Sequence, residues 1–101
     1  MHWWHVIIWI ALETTVFTFK ISVPFTDWAK CFDSAEVVAK HEANSIKPLY
    51  RGVSKDNPES VIVIHQAEEG VAKAFFEASR EAVEATGHIY DSTIITSYLA
   101  G

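Results

Sequence analysis

The sequence predicts an α+β domain with the element order β-α-β-β-α-β. Three observations carry this reading. Ile46–Ser54 and Ser60–Gln66 are strand-like runs joined by the short polar loop Lys55–Glu59, which reads as a β-hairpin. Segments of helical periodicity flank that hairpin on both sides. One further strand-like run precedes the first helix, and another follows the second.

Each element has its own signature. In Thr14–Ser22, Phe17, Phe19 and Ile21 share one face, while Val16, Thr18 and Lys20 share the other. Pro24 ends that strand and opens a helical stretch, Phe25–Ser45, with Trp28, Phe32, Ala35, Ala39 and Ala43 on one stripe. Asp33 followed by Glu36 resembles a capping box, so a break or restart is expected there. In the hairpin loop Pro58 holds Asn57 extended. Glu68 and Glu69 place negative charge at the start of a second helix, which suits its dipole. Val71, Ala74, Phe75, Ala78, Ala82 and Ala85 mark its expected buried stripe, with Lys73–Glu77 and Arg80–Glu84 as i,i+4 pairs on the wet side. Gly87 is placed to end that helix, and His88–Leu99, rich in Ile, Thr and Tyr, forms the last strand. The two helices then cover one face of a four-stranded antiparallel sheet.

The other face points to assembly. In Ser60–Gln66, Val61 and Val63 point one way and Ile62 and Ile64 the other, so both sides are apolar. A sheet wet on one side carries polar residues there. A second copy of the sheet is the simplest cover, and a homodimer is expected.

Composition bounds the rest. A single domain of 101 residues buries roughly 65% of its unfolded surface, enough for a core without metal or disulfide support. Half the residues are apolar, which excludes disorder. The net charge is −5 and no basic cluster exists, which argues against a nucleic-acid partner. Cys31 is the single cysteine, so an internal disulfide and a multi-cysteine zinc site are excluded, and an inert buried thiol in a reducing cytoplasm is expected. Residues 1–13 form an apolar extension ahead of a domain at 14–101. No Lys or Arg precedes the apolar run of Met1–Leu12, unlike a signal peptide, and the run falls about eight residues short of a transmembrane span. With three Trp it is expected to cover this domain or a partner subunit, to meet a surface or lipid, or to be an extension without function.

The β-α-β-β-α-β order of these elements resembles the dimeric α/β-barrel superfamily, built on the ferredoxin-like fold. That group includes antibiotic-biosynthesis monooxygenase-like and stress-responsive barrel proteins. More narrowly, Thr15–Lys20, Ile46–Ser54 and Val61–Glu68, within a likeness that covers roughly residues 14–99, resemble a small uncharacterised family of marine microbial sequences, which brings no activity with it. Some superfamily members are cofactor-free oxygenases and some degrade haem. The haem-degrading type implies an Asn on the first strand, with a Trp and a His near the third strand and second helix. This chain has no Asn in its first strand and neither Trp nor His in its second helix, so the resemblance implies no haem and no other cofactor.

Two functions are expected from the remaining residues. One is binding of a small apolar or acyl-chain-like molecule in a pocket between sheet and helices. Phe17, Phe19, Trp28 and Phe75 supply aromatic walls; Tyr50, Arg51 and Tyr90 supply polar tips. The Ala residues on both helices mean close helix–sheet approach or space for a ligand. An acyl chain needs a pocket above about 300 Å³. The alternative is a cofactor-independent monooxygenase-like or isomerase-like enzyme, with His65 or His41 as general base. The bland readings are a strand histidine hydrogen-bonded to a neighbour for His65 and a helix C-terminal dipole partner for His41. Arg51 either holds a carboxylate ligand or pairs with Asp91 or Glu68 across the sheet. His88 reads as a turn residue. The five histidines lack close spacing with a carboxylate, so no metal site is expected.

Overall fold

The computed structural model describes residues 11–100, and the apolar segment at 1–10 lies outside the described residues. The strands are β1 (Leu12–Ile21), β2 (Lys47–Val53), β3 (Ser60–Glu68) and β4 (His88–Leu99). The helices are α1 (Phe25–Phe32) and α2 (Ala35–Ala43) in the first crossover, with α3 (Val71–Ala78) and α4 (Arg80–Ala85) in the second. All pairings are antiparallel, in the spatial order β2-β3-β1-β4. The β1 alternation sets the layers. Phe17 lies opposite Val63 and Phe19 opposite Val61, and all four are buried on the helix side. Val16, Thr18, Ile62 and Ile64 fall on the open face.

Each expected helix is two. The first breaks after Phe32, and Ser34, not Asp33, is the cap: its hydroxyl accepts a hydrogen bond from the Val37 N–H at 3.3 Å. The break resets the helical phase. Ala35, Ala39 and Ala43 therefore face solvent, and Val37 and His41 turn inward instead. In the second crossover Glu68 still belongs to β3, and Gly70 (φ +83) turns the chain into α3. The buried positions are Ala72 and Phe76, with Ser79 and Val83 half-buried, whereas Ala74, Ala78, Ala82 and Ala85 are exposed. One Phe outweighs several Ala in apolar area, so Phe76 fixes the phase of this helix.

Gly87 (φ +93) closes α4 against the end of β1, where its carbonyl accepts from the Ser22 N–H at 2.8 Å. A Cβ there would sit 2.6 Å from Cγ2 of Val23, a side chain stiff at χ1. At Gly70 the same atom would meet nothing within 4 Å. Gly87→Ala is expected to cost about 2–4 kcal/mol, strain plus overpacking. Gly70→Ala is expected to cost about 1 kcal/mol, strain alone. Urea unfolding of both variants checks this, and equal losses would contradict it.

Candidate functional site

Three histidines converge on the helix side of the sheet. His65 shares the inward phase of Val61, Val63 and Ala67 on β3. His41 is carried inward by the last turn of α2, and His88 opens β4 opposite Ile21. Each is only 7% exposed. The His41 and His65 ring centroids lie 4.9 Å apart. Phe32 stacks on His65 at 6.0 Å, Phe17 meets it edge-on at 5.5 Å, and Phe75 meets His41 edge-on at 5.9 Å. His88 stacks on Phe19 with centroids 3.6 Å apart, and its Nε2 lies 2.7 Å from the Thr93 hydroxyl.

Between these rings the helices leave an open-mouthed cavity of about 130 Å³. Its floor is Phe17, Phe19 and Val63; its walls include Trp28, Phe32, Phe75 and Phe76; Lys40, Ser79 and Thr86 supply polar lining. The Nδ1 atom of His65 is buried with no hydrogen-bond partner among the described residues. An orphaned polar atom of this kind calls for an explanation, since burial without a partner costs about 1–3 kcal/mol.

The electrostatics follow from burial. Desolvation pushes the His65 pKa down to about 3, with the neighbouring His41 adding to the effect, and it lowers His41 itself. Burial also takes His88 down to about 4. All three imidazoles are thus neutral near pH 7, each with one N–H and one acceptor nitrogen. Among the described residues, no group of three or more His, Cys, Asp or Glu is placed to hold a metal ion.

The structure brings His65, His41, Phe17, Phe19, Trp28 and Phe75 together around this cavity. The other three sequence candidates lie elsewhere. Tyr50 is 59% exposed on the open face, opposite Ile64 on β3. Arg51 pairs with neither Asp91 nor Glu68: its Nε donates to Asp33 Oδ1 at 3.0 Å, and Nη2 bonds the other oxygen, tying β2 to the end of α1. Asp91 is held instead by Arg80 at 3.2 Å. Tyr90 stacks between Phe76 and the Arg80 guanidinium. Cys31 is exposed, not buried, because Phe25, Trp28, Ala29 and Phe32 form the inward stripe of α1. Sequence reasoning passed over His88 and Phe32 as site residues. The phase of β4 could have flagged His88, since it pairs with core-facing Ile21.

No helix among the described residues is long and apolar enough to cross a membrane. The fold is similar to a crystal structure of a proposed antibiotic biosynthesis monooxygenase from Caulobacter crescentus, at 21% identity and a TM-score of 0.59. The match covers 91% of this chain and 92% of the other. At that identity it shows a shared α+β, ferredoxin-like fold and nothing finer. No curated protein matches the chain. A family model does, over residues 12–100, and the chain belongs to the family described as Domain of unknown function (DUF3764).

Proposed function

We propose that this protein is a homodimer whose helix-side cavity binds a small apolar molecule of about one aromatic ring. The observation that carries the binding reading is the orphaned Nδ1 of His65 at the wall of an aromatic cavity. A ligand with one polar group satisfies that atom while its ring fills the space between Phe17, Phe32 and Phe75. A volume of about 130 Å³ narrows the ligand class. It is close to that of an apolar cavity, roughly 150 Å³, known to admit benzene, and too small for a long acyl chain. The direct test is native mass spectrometry of the purified protein with added phenol. One ligand per protomer is expected, lost in His65→Phe, which fills the site and removes the nitrogen. Unchanged binding in that variant counts against the reading.

The enzymatic alternative uses the same cavity: a cofactor-independent monooxygenase-like or isomerase-like reaction with His41 or His65 as base. The name of the Caulobacter protein points in that direction. The low basicity of His65 weakens it, because a group titrating at about 3 is a poor proton acceptor at neutral pH. Binding is therefore the better supported role. Cytoplasmic residence, kinship with the marine microbial sequences and the division into an extension at 1–13 and a domain at 14–101 belong to the same proposal.

The homodimer rests on the open sheet face. Ile94, Tyr98 and Tyr50 are 66%, 58% and 59% exposed, and Val16, Ile62 and Ile64 lie half-buried between them. A shallow groove of about 390 Å³ runs across this face past Thr18, Tyr50, Gly52, Ile62 and Ile94. Soluble proteins seldom leave so contiguous an apolar face open, and an identical face is its natural complement. Ile94→Glu leaves the helix-side core untouched and places a charge in the proposed interface. The native protein is expected to sediment as a dimer at micromolar concentration and the variant as a monomer. A native monomer sinks the assembly claim.

A further inference from the structure

The charge of the cavity lining runs against the charge of the chain. The protein carries 13 Asp and Glu and a net charge of −5, yet no carboxylate lines the cavity. The ionisable groups that do are Lys40, His41, His65 and His88. His88 Nε2 is taken up by Thr93, whereas His65 Nδ1 on β3 has no partner among the described residues, and His41 and Lys40 of α2 line the same cavity. Ser79 and Thr86 add hydroxyls, and Thr86 spends its own on the Val83 carbonyl at 2.6 Å.

We infer that the ligand is a single-ring aromatic carboxylic acid, bound as its anion, with the ring in the aromatic cavity and the carboxylate at the Lys40–His41–His65 wall. This rests on the reading of the cavity as a binding site and adds the charge class of what it takes. The reasoning is by complement. A carboxylate taken out of water needs N–H donors and a cation, and neutral imidazoles and an ammonium provide both. A cationic ligand would find no carboxylate to meet it. A neutral ring would fill the cavity and leave Lys40 without a role there. Lys40 does contact Glu36 on its own helix at 3.3 Å, but both side chains are well exposed, and an exposed i,i+4 pair is easily exchanged for a ligand contact. The neutrality of His41 and His65 suits the task. Each keeps one N–H to donate, and an arriving carboxylate favours uptake of a second proton.

The test uses three probes of the same shape and different charge: benzoate (−1), benzamide (0) and benzamidine (+1). The full-length chain is titrated with each by calorimetry, while the imidazole proton resonances of His41 and His65 are followed by NMR. Benzoate is expected to bind about tenfold tighter than benzamide, the gain of one charge-assisted contact, and benzamidine weakest of the three. Lys40→Met is expected to erase most of the benzoate advantage, bringing the benzoate and benzamide affinities of the variant to within about twofold of each other. Equal affinity for benzoate and benzamide, or a preference for benzamidine, overturns the assignment of charge while leaving the cavity a binding site. Benzoate binding that leaves both imidazoles unmoved also overturns it, since the anion then sits elsewhere. Failure of all three probes to move these resonances overturns the binding reading as well.

Discussion

Acidification from pH 6.5 to 4 is expected to remove most of the stability of this protein, well before ordinary carboxylate protonation is complete. The cause is the buried imidazoles. In the unfolded chain a histidine titrates near 6.5; in the fold His65 titrates at about 3 and His88 at about 4, and His41 is lowered too. Below pH 6.5 the unfolded chain therefore binds more protons than the folded one. Stability is full above that pH and falls as the pH drops toward the folded values. Each such group contributes a slope of about 1.4 kcal/mol per pH unit. His65 and His88 together then account for about 5 kcal/mol between pH 6 and pH 4, comparable to the whole stability of a small domain. Urea unfolding at pH 7, 6, 5 and 4 measures this. His65→Phe should lower the slope by about 1.4 kcal/mol per pH unit. A stability curve flat down to pH 4 would mean that these rings are solvated in the fold, and the cavity as described would be wrong.

That sensitivity comes from residues whose faces the sequence only partly discloses. The inward phase of β1 was legible because Phe17, Phe19 and Ile21 alternate with smaller or polar residues, and a period of two leaves no ambiguity. The β3 phase was not, since Val61 and Val63 alternate with Ile62 and Ile64. His65 could have faced either layer until Phe17 was paired with Val63. The helical stripes misled for a different reason. Counting Ala as a core marker gave a continuous face across Ser34 and another across Ser79, but Ala gains little by burial. The larger Phe32 and Phe76 decided the phase, and the breaks moved the Ala residues into solvent. The Arg51–Asp33 pair was out of reach because it joins residues 18 apart across a crossover whose return angle depends on the Ser34 break. His41 reads as a mere helix C-terminal dipole partner for the same reason. Once α2 restarts at Ala35, His41 becomes its most buried residue and the partner of His65. The candidate site is thus a tertiary product of one helix break and one strand pairing, and neither has a local sequence signal strong enough to fix it alone.

Replacing Trp28 by Ala is expected to cost about 3–5 kcal/mol, the range for deleting a large buried aromatic. Trp28 is 3% exposed and sits among three rings, with centroid distances of 5.6 Å to Phe19, 5.7 Å to Phe25 and 5.0 Å to Phe32. It packs α1 on β1 through Phe19, and Phe32, the ring stacked on His65, leans directly on it. The cost should therefore appear twice. Thermal unfolding followed by circular dichroism should show a fall in Tm of about 12–40 °C, at roughly 4–8 °C per kcal/mol for a domain of this size. The imidazole resonance of His65 should also shift in the variant while it remains folded, because the wall formed by Phe32 loses its support. Val38→Ala, at a position 42% exposed on α2, is the matched control and should change stability by less than about 0.5 kcal/mol. If Trp28→Ala costs no more than that control, α1 does not seat on the sheet through this ring. If it is costly but leaves the His65 resonance in place, the core is as described and the cavity wall owes its position to the Ser34 break and the Arg51–Asp33 tie instead.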